Sequence, residues 1–127
     1  MNQELWKKTV EKHGHECPGV AFGFRIGEEV QKIFSEDEKI NCITSVRNCA
    51  VDGVCSVTGL SVEDGTMRFD ASVDGFLFYA VDDEEGWLFR AKKLEVASEA
   101  DPVMLILSVN REMLFDIILC DAPVADS

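Results

Sequence analysis

The sequence contains few basic residues and no long apolar segment. Its 127 residues include 12 Lys and Arg against 24 Asp and Glu, a formal net charge of −12. Such a surface is unsuited to nucleic acid or anionic membranes, because both bind cationic faces. No apolar run approaches the ~18 residues of a membrane span, and the N-terminal residues lack a segment of signal-peptide type. We therefore expect a soluble, cytoplasmic protein that binds neither nucleic acid nor membrane.

Proline is also scarce, and several common motifs are missing. Three prolines and a 46% hydrophobic content exclude disorder and collagen-like structure. Without a Cys-x-x-Cys pair, neither a thioredoxin-type redox centre nor a zinc ribbon is indicated. Without a Gly-x-Gly-x-x-Gly or Walker-type loop, nucleotide binding has no support. The length is typical of one domain of roughly 100–200 residues, so we expect residues 1–127 to form a single domain.

The apolar periodicity predicts an α+β fold. Helices come first, and beyond Gly65 the period changes to two, with turns at Asp74-Gly75 and at 82–86. Those two turns predict a three-stranded meander. The predicted elements are a helix over 2–13, a helix that starts at Pro18 and has its apolar pattern over 20–34, a strand over 40–48, a helix over 49–58, the meander, a helix after Asp101-Pro102 and a strand over 115–119. In the second helix, Gly23 and Gly27 lie one turn apart and predict close approach of another backbone.

Five cysteines in a chain without an export signal are a poor fit to a disulfide framework. Cys42 and Cys120 lie among apolar residues, which favours small buried side chains. Cys55 is better interpreted as a core cysteine than as a site residue. Cys17 and Cys49 have different neighbours, and those neighbours suggest chemistry.

The densest cluster of ligand-type side chains is His13-Gly14-His15-Glu16-Cys17-Pro18-Gly19, which holds both histidines of the chain. Because Pro18 suits the first helical position, Cys17 is expected to be the N-cap of the second helix. At a cap, the free backbone N–H groups and the helix dipole lower the pKa of a thiol. Alternatively, the two histidines only cap the end of the first helix.

Cys49 repeats this arrangement, since it follows a predicted strand and opens a predicted helix as the expected N-cap. Asp52, three residues on, projects from the same first turn, although it could equally be an ordinary acid at a helix N-terminus. If the two helix starts converge, His13, His15, Cys17, Cys49 and Asp52 would supply mixed nitrogen, sulfur and oxygen ligands for a metal. Such a mixed set suits zinc and tolerates iron, nickel or copper.

Together these residues resemble the FmdE-like family, which is named for formylmethanofuran dehydrogenase. The resemblance is carried by the first motif, by Asn48-Cys49-Ala50-Val51-Asp52-Gly53, by Thr58-Gly59 and by Asp74-Gly75 before Phe76 and Phe78, with a weaker match at 113–117. It implies a core similar to the α/β domain of glyceraldehyde-3-phosphate dehydrogenase, with helix, strand and helix before a mostly antiparallel sheet. Longer members add a C-terminal treble-clef zinc finger with cysteine pairs, and no such pairs occur here.

The resemblance also implies a divalent metal, most simply zinc, at His13, His15, Cys17 and Cys49, in a homodimer linked to one-carbon metabolism. If the protein is catalytic, the metal is a Lewis acid or water activator, and Cys17 and Asp52 are the catalytic candidates. A second hypothesis is a non-catalytic accessory or metal-delivery module for a molybdenum or tungsten oxidoreductase. A third is a metal-free thiol enzyme with Cys17 as nucleophile and His15 as base.

Overall fold

The computed structural model describes residues 3–35, 37–81, 83–92 and 101–122. Helices dominate the first half of the described chain, and strands dominate the second half. The elements are α1 (Gln3–His13), α2 (Pro18–Ile33), β1 (Ile40–Thr44), α3 (Cys49–Thr58), β2 (Met67–Phe69), β3 (Phe76–Ala80), β4 (Glu85–Ala91), α4 (Pro102–Ser108), a 3-10 turn (Arg111–Met113) and β5 (Phe115–Asp121). The predicted α+β class is confirmed.

The five strands form one mostly antiparallel sheet in the order β2-β1-β3-β4-β5. The alternation of side chains divides its two faces. Cys42, Phe76 and Phe78 pack with all four helices in the main core, whereas Leu77 and Tyr79 belong to a smaller apolar cluster on the opposite face. The helices therefore cover one face of the sheet, which makes a two-layer structure.

The predicted three-stranded meander is wrong in its first strand. The β3–β4 hairpin forms as expected, but β2 pairs in parallel with β1, and β1 lies between β2 and β3. A parallel neighbour requires a crossover, which α3 supplies between β1 and β2. Period-two alternation shows that a segment is a strand, but it does not show which strand is its partner.

Strand β1 is also shorter than expected and ends at Thr44 rather than near Asn48. The hydroxyl Oγ1 of Thr44 accepts a hydrogen bond from the backbone N–H of Val46 at 2.9 Å. Such a local side-chain bond turns the backbone out of the ladder. The chain then reaches α3, where the Asn48 side chain accepts from the N–H of Ala50.

The close packing of α2 on α3 depends on glycines, as the spacing of Gly23 and Gly27 indicates. A Cβ on Gly23 would collide with the backbone carbonyl of Ala50, and one on Gly53 would collide with that of Val20. A Cβ on Gly27 would lie 2.6 Å from the Cβ of Val57. The two helix backbones therefore approach closely near their starts, which brings their first turns together.

No helix among the described residues is both long and apolar enough to cross a membrane.

Candidate metal centre

Cys17 lies where the sequence predicts it, as the N-cap of α2 with extended backbone angles (φ −153°, ψ 159°) and Pro18 in the first helical turn. Its sulfur does not close a full capping hydrogen bond. Burial raises the pKa of the Cys17 thiol, but the Val20 N–H, the Cys49 thiol and the His13 imidazole together lower it below its ordinary value. This environment favours the thiolate, which is the form that binds metals and attacks electrophiles.

His13, in the last turn of α1, links Cys17 to Asp52. Its Nδ1 lies 2.7 Å from Oδ2 of Asp52, and its Nε2 lies 3.7 Å from Sγ of Cys17. The His13 side chain is 9% exposed, and that of Asp52 is 61% exposed. The hydrogen bond to Asp52 raises the pKa of His13, against a smaller opposing effect of burial. A carboxylate can only accept a hydrogen bond, so Asp52 favours the His13 tautomer that carries its proton on Nδ1. The lone pair of Nε2 is then available to bind a metal.

His15, on the loop between α1 and α2, completes a group of three side chains that could bind a metal ion. Its ring centroid lies 4.6 Å from that of His13. One ligand atom from each of His13, His15 and Cys17 lies within 4.8 Å of the others. His15 is exposed, whereas His13 and Cys17 are half-buried, so the cluster is open to solvent on one side.

Cys49 lies beside this group but outside the set of three mutually close ligands. It is the first residue of α3 rather than its N-cap, because Asn48 takes that position and accepts from Ala50 N at 2.9 Å. The expectation that Cys49 is the cap is therefore wrong by one residue. The neighbouring Cys17 thiol raises the pKa of Cys49 above its ordinary value. Of the two thiols, Cys17 is the one that ionises more readily.

The other three cysteines lie away from the cluster. Cys42 is fully buried in the main core, as predicted. Cys120 is half-buried against the smaller apolar cluster on the opposite face of the sheet. Cys55 is half-buried and packs against the main core, where burial raises the pKa of its thiol. All five cysteines are free thiols.

The contact that the sequence did not predict is the bridge through His13. The spacing indicated that both histidines and Asp52 lie near two helix starts, but it did not show which imidazole would contact the carboxylate. Helix α1 packs along α3, where Oγ1 of Thr9 and Oγ of Ser56 lie 2.8 Å apart. This packing brings the last turn of α1 to Asp52, and nothing in the local sequence specifies it.

The donor set is one that could hold a metal ion. Zinc sites combine imidazole nitrogens with thiolates, and a metal-ligating histidine usually donates its second N–H to a carboxylate or carbonyl. Here two imidazoles and a thiol with a lowered pKa converge, and Asp52 is the carboxylate that receives the second N–H of His13.

The fold and the cluster together define a class: a small α+β protein with a His/Cys cluster that could hold a metal ion, between the end of α1 and the start of α2. Residues 12–111 match the family model described as FmdE, molybdenum formylmethanofuran dehydrogenase operon. Because this match spans most of the sequence, the chain belongs to the FmdE family. No curated protein matches the sequence significantly.

The fold is also similar to that of a tungsten formylmethanofuran dehydrogenase FmdE-like protein from Syntrophus aciditrophicus, known from a crystal structure. The two share 20% identity with a TM-score of 0.70, over 96% of this chain and 73% of that one. At this identity the likeness establishes the fold alone. The expected likeness to the glyceraldehyde-3-phosphate dehydrogenase domain stays a prediction.

Proposed function

We propose that this FmdE-family protein binds a divalent metal ion, zinc by preference, through His13, His15 and Cys17, with Cys49 as the fourth ligand. The observation that carries the proposal is the arrangement of His13. Its Nδ1 is held by Asp52, so that Nε2 points toward the Cys17 thiol within a group of three converging ligand atoms. We include Cys49 as the fourth ligand because it lies close enough to Cys17 for each thiol to shift the pKa of the other.

When bound, the metal would supply Lewis-acid or water-activating chemistry. The residues around it have separate tasks. Asp52 fixes the tautomer of His13, and because its carboxylate is 61% exposed it can also exchange protons with solvent. The family membership supports a role beside formylmethanofuran dehydrogenase in one-carbon metabolism. We infer a role of this kind, either catalytic or accessory.

Metal content tests this proposal. The protein is purified without a histidine tag, loaded with zinc, desalted and analysed for metal per chain. We expect about one zinc per chain in the wild type and much less in Cys17→Ser. Loss of a ligand should lower zinc affinity by more than about 100-fold, because even the loss of a residue that only hydrogen-bonds to a ligand lowers it by about 10–100-fold.

The matched control is Cys120→Ser, which removes a half-buried thiol on the other face of the sheet and should leave the metal content unchanged. Equal, negligible zinc in all three proteins would disprove the proposed function.

A second candidate is metal-free thiol chemistry, favoured by the same alignment. Cys17, His13 and Asp52 stand in the order of nucleophile, base and orienting carboxylate. The imidazole beside the thiol is His13, not His15 as the sequence suggested. The variant His15→Ala distinguishes the two candidates. If the metal proposal holds, this variant should bind zinc more weakly than the wild type. If the protein is a metal-free thiol enzyme, Cys17 should be alkylated at the same rate in the variant and in the wild type.

We also propose that the protein acts in the cytoplasm as a homodimer or as a partner of a molybdenum or tungsten oxidoreductase. Support comes from the edge strand β5, where Leu119 is 53% exposed and Ile118 36% exposed. Exposed apolar side chains on an edge strand favour association. Light scattering should show a dimer for the wild type and a monomer for Leu119→Lys, with Val62→Lys as an exposed control; a monomeric wild type would contradict the homodimer.

A further inference from the structure

An apolar cavity of about 350 Å³ opens beside the metal centre. This volume lies in the range of about 300–1,000 Å³ that is usual for small-molecule pockets. Phe22, Phe76 and Phe89 contribute to its walls, together with the aliphatic residues Val46 and Ala91. Phe76 and Phe89 are almost fully buried, so these rings are fixed parts of the core rather than mobile surface groups.

The cavity and the metal centre share the starts of two helices. Pro18 and Gly19, which line the cavity, directly follow Cys17, and Asn48 and Ala50 flank Cys49. A Cβ on Gly19 would lie 3.0 Å from the Cβ of Cys49, so the Gly19 backbone is in contact with the thiol-bearing residue. The cavity is therefore walled by the residues that flank Cys17 and Cys49 in the chain.

The polar side chains that line the cavity already have partners. Oδ1 of Asn48 accepts from Ala50 N at 2.9 Å. Nζ of Lys92 lies 3.2 Å from Oδ1 of Asp116 and donates to the carbonyl of Glu112 at 2.7 Å. Neither group presents a free charge to the cavity, so its interior suits a neutral, apolar group.

From these observations we propose that the cavity binds the apolar ring of a small molecule whose oxygen-donor end reaches the metal centre. The ligand class is thus an aromatic or similarly flat ring joined to a metal-ligating group. This inference rests on the metal-binding function proposed above and adds the substrate class to it. The division of labour is usual for such pockets, in which apolar walls supply contact area and a few polar groups or a metal fix orientation.

Two hydroxamates test the inference, because both chelate zinc but only one carries a ring. Binding of benzohydroxamate and of acetohydroxamate to the zinc-loaded protein is measured by titration calorimetry. We expect the wild type to bind benzohydroxamate at least about tenfold more tightly, since burying a ring removes apolar area from water. In Ala91→Phe the added ring fills the cavity, and the ratio should fall below about threefold while acetohydroxamate binding is unchanged.

Val46→Phe fills the same cavity from another wall and gives a second reading if the first variant is unstable. Val81→Phe adds a ring at an exposed position outside the cavity lining and should keep the wild-type ratio. With zinc bound, a wild-type ratio near one, or an unchanged ratio in both cavity variants, would overturn the cavity inference alone. A chain that holds no zinc would overturn the metal centre and this inference together, and the metal analysis separates the two cases.

Discussion

Helix α2 carries a polar cluster near each end, and the two differ in how fully their charges are paired. Near its C-terminal end, the buried Glu29 carboxylate lies 2.9 Å from Nη1 of Arg111 and 3.1 Å from Nζ of Lys32. We call Glu29, Lys32 and Arg111 the ion cluster. At the N-terminal end, the candidate metal centre gathers two imidazoles and a thiol, each of which offers a ligand atom.

This contrast separates a structural cluster from one that is suited to function. In the ion cluster each carboxylate oxygen of Glu29 has a cationic partner, so the cluster is complete within the described chain. At the candidate metal centre Cys17 and His13 face each other. The pKa of the Cys17 thiol is lowered from its ordinary value, and the pKa of the His13 imidazole is raised. Converging donors with perturbed pKa values in an open cluster are typical of a functional site.

The strongest effect should come from breaking the contact on which the metal centre depends. In Gly23→Ala the new methyl group meets the Ala50 carbonyl, so α2 and α3 must separate at the level of the two thiols. We expect a loss of about 3 kcal/mol in the free energy of unfolding, together with weaker zinc binding. Urea denaturation and metal analysis measure the two effects.

Gly27→Ala is the matched control, one turn closer to the ion cluster. Its methyl group would lie 2.6 Å from the Cβ of Val57, near the end of α3 away from the two thiols, so stability should also fall, by about 1–3 kcal/mol, with zinc binding retained. Equal losses of zinc binding in the two variants would show that the helix starts are not the critical contact.

A smaller effect is expected when only the orientation of a ligand changes. Asp52→Asn removes the carboxylate that receives the His13 N–H, while the side chain keeps its size. We expect zinc affinity to fall by about 10–100-fold, as measured by competition with a chromophoric chelator. The control Glu63→Gln removes an exposed carboxylate after α3 and should leave zinc affinity unchanged. Equal zinc affinities in the two variants would show that Asp52 is an ordinary acidic residue at a helix N-terminus and does not orient His13.

The weakest effect concerns the ion cluster and its dependence on pH. Burial raises the pKa of Glu29, but Arg111 and Lys32 lower it more, to a net value below its ordinary 4.5. A carboxyl with a depressed folded pKa stabilises the protein above the unfolded pKa, and this stability is lost as pH falls through the folded value. Glu29→Gln should therefore lower the melting temperature by a few degrees at pH 7 and lessen its fall in acid, with zinc binding unaffected.

Thermal melts between pH 7 and pH 3 measure this prediction. Glu28→Gln is the control because, among the described residues, the ion pair of Glu28 is a 3.8 Å contact with Arg25. If Glu29→Gln also released zinc, the two ends of α2 would be coupled and the comparison would fail.

The elements that local chemistry specifies could be predicted from the sequence. Pro18 and Asp101-Pro102 mark helix starts in the structure, and Gly59 with φ +79° ends α3. These signals are reliable because a fixed proline φ, a side-chain cap or a left-handed glycine acts within a few residues. The same local signals place the predicted ligands at helix ends, and the prediction was wrong by one residue at Cys49 because Asn48 is the better capping side chain.

The chemical composition of the metal centre follows from the sequence alone, since His13, His15 and Cys17 are brought together by a five-residue turn. Tertiary packing was needed to bring His13 on α1 to Asp52, to pair β2 with β1, and to form an apolar cavity beside the thiols. The physical reason is range. Caps and turns depend on neighbours in the chain, whereas strand pairing, helix packing and cavities depend on which distant surfaces bury each other best.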